Sequence, residues 1–166
     1  MLVTNQAQLL RLAREDEHHF VRATAVVRLE SGDDLAQIAL ADEHELVRRE
    51  ALLRTARQEV LRQAALEDKK DEPRLAAVSK LDDQEALARV ATADKSKRVR
   101  ERAVERLTDA TLLSRLARTD REWSIRQIAV QRIEDRAVLR EVAQSDSDPT
   151  VRRIARERLS LLGESD

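Results

Sequence analysis

The sequence predicts an all-α fold built from repeated helical hairpins. Three observations carry that expectation. One motif returns six times at a fixed step of 26 residues. Only two Gly and two Pro interrupt 166 residues, too few for a Gly-rich-loop or all-β chain. Each repeat also holds two separate apolar stretches at helical spacing. The length suits one domain with a sizeable core, 1–166.

The motif is Val21-Arg22-x-x-Ala25. It recurs from Val47, Pro73, Val99, Ile125 and Val151, always with Arg second and Ala fifth. A second element precedes it in the same frame: Leu9-x-x-Leu12-Ala13, then the equivalents from Leu35, Leu61, Leu87, Leu113 and Leu139. Apolar residues at i, i+3 and i+4 line one face of a helix. Asn5, Ser31, Asp83, Asp109 and Asp135 precede these helices at one phase and are suited to cap them. Pro73 fits the first turn of its helix, and Gly163 follows the last apolar run as a C-terminal cap would.

A single long helix does not satisfy the repeat. At about 100° per residue, 26 residues overshoot seven turns by roughly 80°, so equivalent apolar residues would drift out of register. Two short helices per repeat restore the register. The hairpins are 5–30, 31–56, 57–82, 83–108, 109–134 and 135–160, giving twelve short helices. One hairpin cannot bury its stripe alone, but a stack buries a continuous core. Thr55, Arg57 and Ala64 depart from the pattern, so the second repeat is expected to be the least regular.

An Asp stands six residues before every motif Arg. The pairs are Asp16 and Arg22, Asp42 and Arg48, Asp68 and Arg74, Asp94 and Arg100, Asp120 and Arg126, and Asp146 and Arg152. On the helical wheel the Arg falls about 100° from Val21, inside the apolar arc. A guanidinium there is partly desolvated and needs an acceptor. The Asp can supply one, and such pairs can pass from repeat to repeat as a ladder. A catalytic centre would need asymmetry at one place, whereas this series is uniform. The pairs therefore read as structural.

The Asp, the Val-Arg-x-x-Ala-x-x-x-Leu segment and the preceding Leu-x-x-Ile/Leu-Ala helix together resemble HEAT-like repeats. The short period is most similar to bilin-lyase-type HEAT-like repeats and to variant leucine-rich repeats. The resemblance covers essentially the whole chain and implies a right-handed α-solenoid, a superhelix with the second helices lining a concave face. It also implies a structural role for the six Asp and Arg pairs. It carries little about function.

A second cationic row, Arg28, Arg54, Lys80, Arg106, Arg132 and Arg158, lies at the edge of the apolar arc. Two readings stay open. The row can cap helix ends, where a cation complements the dipole. It can also run along the groove and meet a polyanion. The acids Glu30, Asp82, Asp83, Asp109, Glu134 and Asp135 follow closely and would neutralise it. Only Phe20 and Trp123 offer aromatic surface, against several in single-strand readers.

Trp123 occupies a phase that is polar in most other repeats, and Ile128 and Ile154 follow at a phase that is exposed in earlier ones. These three are candidate apolar anchors for a partner near the C-terminal end. His18 and His44 share a phase about 10 Å apart, too far to share one metal, and solvated loop histidines are expected.

The formal charge of −1 gives no global pull toward nucleic acid or membrane. No Cys is present for disulfides, thiolate metal sites or nucleophilic catalysis. No Gly-rich phosphate loop or Ser-His-Asp arrangement is visible. The reading is a non-catalytic, cytoplasmic scaffold with no metal or cofactor, binding another protein on the concave face. Nucleic-acid binding along the basic row is one alternative. An accessory module of a tetrapyrrole (bilin) lyase-like system is another, resting on the resemblance alone. No membrane partner is expected. The terminal repeats show no obvious polar caps, which suggests end-to-end self-association or a fragment of a longer chain.

Overall fold

The computed structural model describes residues 5–163. Among them are twelve α-helices and no strands. The first helices of the hairpins are α1 (Gln6–Glu15), α3 (Gly32–Ala41), α5 (Gln58–Glu67), α7 (Gln84–Ala93), α9 (Ala110–Thr119) and α11 (Arg136–Ser145). The second helices are α2 (His19–Val26), α4 (Glu45–Arg54), α6 (Asp71–Val78), α8 (Lys97–Arg106), α10 (Trp123–Arg132) and α12 (Pro149–Leu161). Every first helix starts 26 residues after the last, as the repeat requires. The chain is an α-solenoid of helical hairpins, arranged in two compact units, Met1–Ala86 and Leu87–Asp166.

Helix starts follow the capping residues. Asn5, Asp109 and Asp135 each accept two backbone N–H groups of the following turn. Ser31 accepts from Asp34, and Asp83 from Ala86. Gly163 adopts φ +87 beyond α12, the left-handed turn that ends helices. In the N-terminal unit the hairpins also close through Gln6 and Gln58. Gln6 donates to the Arg28 carbonyl and accepts from the Glu30 N–H, while Gln58 does the same with Lys80 and Asp82.

The core of each unit is the predicted stripe. In the N-terminal unit Leu35, Ile38 and Ala39 of α3 meet Val47, Ala51 and Leu52 of α4 inside the hairpin, all buried. In the C-terminal unit Leu113, Leu116 and Ala117 play the same part with Ile125, Ala129 and Val130. Within each unit the second helices pack along one another, α2 on α4 and α4 on α6, then α8 on α10 and α10 on α12. Small Ala residues at the contacts permit close approach.

The second repeat is not the irregular one. Its helices keep the common register, because the buried Thr55 satisfies its hydroxyl by accepting the Arg57 N–H at 3.3 Å. The short second helices are instead α2 and α6, eight residues each. The last hairpin does carry a polar residue at the inter-hairpin phase. Arg156 stands where earlier repeats have Val26, Leu52, Val78, Val104 and Val130, and donates to the Ala143 carbonyl at 3.1 Å.

Candidate functional site

Each ladder Asp holds the turn inside its own hairpin. The carboxylate of Asp16 accepts the His18 N–H, and Asp42, Asp68, Asp94, Asp120 and Asp146 accept from His44, Lys70, Ser96, Glu122 and Asp148, all within 2.8–2.9 Å. The Arg six residues later grips the same Asp by its carbonyl, not its carboxylate. Arg22, Arg48, Arg74, Arg100, Arg126 and Arg152 donate Nη1 to the carbonyls of Asp16, Asp42, Asp68, Asp94, Asp120 and Asp146 at 2.6–2.9 Å. The pairing six apart is therefore a side-chain-to-backbone clamp.

The carboxylate partner comes from the next hairpin. Arg22 forks onto Asp42 at 2.9 and 3.1 Å, Arg48 onto Asp68 at 2.7 and 2.8 Å, and Arg126 onto Asp146 at 2.7 and 2.8 Å. Such bidentate, nearly buried pairs tie one hairpin to the next. Burial would raise the Asp68 and Asp146 carboxyls, but hydrogen bonds from Arg48 and Arg126 and from the turn amides hold both below the usual carboxylate range. The same hydrogen bonds raise the guanidinium groups of Arg22, Arg48 and Arg126. Arg100 differs from these three. It has the carbonyl clamp, but its buried Nη2 has no hydrogen-bond acceptor.

The second cationic row is mostly engaged with backbone. Arg54 donates to the Leu29 carbonyl at 2.7 Å, Arg132 to Leu107 at 2.6 Å and Arg158 to Ile133 at 3.1 Å. Lys80 donates to the Leu53 carbonyl at 2.9 Å and to that of Thr55. Each of these cations reaches back 25 to 27 residues, to the carbonyl end of the preceding second helix. Desolvation, with Arg54 nearby, lowers the Lys80 ammonium below its ordinary value. Arg28 and Arg106 hold the same phase and are half-buried.

Trp123 opens α10 and is 45% exposed, with the Lys97 ammonium of the preceding hairpin 5.9 Å from the ring centroid. Ile128 is half-buried. Ile154 is 7% exposed and belongs to the core, so the exposed apolar phase does not extend to it. Helix α12 packs on both α11 and α10, which the linear pattern does not show.

Two features escaped the linear reading. His19, not His18, stacks on His44, with ring centroids 3.6 Å apart and planes 11° from parallel. His44 also caps α4 through Nδ1. Desolvation and the neighbouring His44, Arg22 and His18 hold His19 below its ordinary value. Among the described residues no three His, Cys, Asp or Glu side chains gather as a metal site. The second feature is apolar exposure in the N-terminal unit, at Phe20 (67%), Val27 (45%) and Leu53 (41%). Residues 20 and 27 are seven apart, as are 46 and 53, so the second helices of the first two hairpins share one apolar edge. Comparing residues 20, 27, 46 and 53 across repeats would have exposed this signal.

No protein-family model matches the chain, and no curated protein matches it in sequence. Solved structures do. A leucine-rich repeat variant with a novel repetitive structural motif is 30% identical, with a TM-score of 0.77 over 93% of this chain and 61% of that one. The chain thus spans about three-fifths of that protein's length. YibA of Escherichia coli is 22% identical, with a TM-score of 0.63 over 94% of this chain and 70% of YibA. The chain is similar to these helical repeat proteins, and the likeness to YibA concerns the fold alone.

Proposed function

We propose that the chain is a non-catalytic scaffold, a single repeat domain working in the cytoplasm, whose second-helix face binds another protein. One observation carries this reading. Four cations of the basic row are taken up by backbone carbonyls of the preceding hairpin, while the second helices of the N-terminal unit leave Phe20, Val27 and Leu53 exposed. Cations fixed on helix ends are poorly placed to track a phosphate backbone. Exposed aromatic and aliphatic side chains on a rigid helical face are what partner anchors require. The helical repeat neighbours support a scaffold of this kind. No helix of the described residues is long and apolar enough to cross a membrane.

The test pairs two measurements. Affinity capture is run with the wild-type chain and with Phe20→Ser/Leu53→Ser, whose sites are exposed. A partner retained by the first and lost by the second is expected. Anisotropy of labelled single- and double-stranded nucleic acid is run across salt, with Arg54→Glu/Arg132→Glu alongside. Salt-steep binding that vanishes in that variant would overturn the proposal in favour of a polyanion partner.

A further inference from the structure

We infer that the cleft between the fourth and fifth hairpins binds a phosphate group, with Arg100 as its buried ligand. The residues that line it all lie within the C-terminal unit. Arg100 is 4% exposed, and its Nη2 is buried with no hydrogen-bond partner. Asp120 stands where Asp42, Asp68 and Asp146 close the rungs of Arg22, Arg48 and Arg126. Its carboxylate accepts the Glu122 N–H at 2.9 Å and makes no ion pair with Arg100. Between them lies an open cleft of about 540 Å³, lined by Lys95, Arg100, Arg115 and Arg121 and by Asp94 and Asp120.

The chemistry of the lining points to what completes the rung. At two closed rungs the residue after the Asp also accepts from the guanidinium, Glu43 from Arg22 at 3.2 Å and Ser147 from Arg126 at 3.3 Å. After Asp120 that residue is Arg121, which has no acceptor; Lys69 follows Asp68 in the same way, and there Arg48 closes its rung on the Asp alone. Arg115 likewise stands where the closed rung of Arg126 has Glu141. Among the lining side chains four cations face two carboxylates, an excess of two positive charges, with Glu122 3.7 Å from Arg121 at the edge. A buried guanidinium N–H is stable only with an acceptor, and its planar fork fits a tetrahedral or planar oxyanion. A phosphate dianion matches both the missing acceptor and the charge excess, and the space beyond it admits the organic part of a small phosphomonoester.

The test titrates the chain with inorganic phosphate and with glucose 6-phosphate by calorimetry, at constant ionic strength. The expected result is one saturable site with Kd below about 1 mM. Arg115→Gln and Arg121→Gln, both at exposed positions, are expected to weaken it at least about fivefold while leaving the melting temperature near wild type. Arg100→Gln abolishes it. Asp120→Asn tightens it, because a competing carboxylate is gone. Tighter binding of the sugar phosphate identifies a phosphorylated small molecule as the occupant, and equal binding identifies free phosphate. Absence of saturable binding for both probes overturns the inference. So does equal binding by wild type, Arg115→Gln and Arg121→Gln, two variants that decide the matter even if Arg100→Gln fails to fold.

Discussion

Arg126 and Arg100 stand one hairpin apart in the C-terminal unit, in the same motif, on second helices that both start one residue after the ladder turn. Both clamp the carbonyl of the Asp six residues earlier. Arg126 then reaches the next hairpin and forks onto Asp146, whereas Arg100 stops short of Asp120. The local clamp depends on one turn of one hairpin, so every repeat forms it. The rung depends on the neighbouring hairpin and on the residues beside its Asp. Ser147 adds an acceptor to one rung, and Arg121 lines the cleft beside the other.

The largest effect should come from removing the arginines. Arg126→Met is expected to cost about 3 kcal/mol, because it strands a buried carboxylate. Arg100→Met should stay within about 1 kcal/mol, since the lost carbonyl bond is offset by losing an unsatisfied nitrogen. Urea unfolding of both variants measures this. Equal losses would mean that Arg100 and Asp120 pair in solution.

Acid should then weaken the rungs of Asp68 and Asp146. The Asp68 and Asp146 carboxyls are held low in the folded chain, so their contribution is fully present above the unfolded Asp value near ~3.9. It is lost as pH falls through the lower folded values. Asp146→Asn should therefore flatten the fall in stability below about pH 4 relative to wild type. Thermal melts from pH 2 to pH 6, about the range where carboxylates titrate, decide it. An acid limb of Asp146→Asn identical to that of wild type would contradict the assignment.

A smaller change should convert one rung into the other. Arg121→Ser recreates the residue that follows Asp146 and removes a cation from the cleft. It should stabilise the chain by about 0.5–1 kcal/mol as the Arg100 fork gains its carboxylate. The same variant should abolish phosphate binding. Arg132→Gln should cost the least, about 0.5 kcal/mol, by releasing the Leu107 carbonyl at a helix end. A loss as large as that of Arg126→Met would give the basic row an equal share in joining hairpins.

Much of the fold is legible in the linear chain because its determinants are local. The 26-residue step, the i, i+3, i+4 stripes and the capping residues at Asn5, Ser31, Asp83, Asp109 and Asp135 act within a few residues of each helix. The role of the six Arg is legible only in part. Their place in the apolar arc shows that they need acceptors, but the acceptor lies 20 residues ahead and the carbonyl clamp lies six behind. The same distance hides the His19–His44 stack, made by contact between hairpins.

By itself the sequence determined twelve short helices, their register and the apolar face that each turns inward. Helix periodicity and capping are set over one or two turns, so a repeated string repeats its structure. Tertiary structure alone decided which cations remain available. A guanidinium's partner is whatever acceptor the stacked neighbour brings within about 3 Å, and that distance is a product of packing. Arg54, Lys80, Arg132 and Arg158 became helix-end anchors for that reason, while Arg100 was left beside an open cleft.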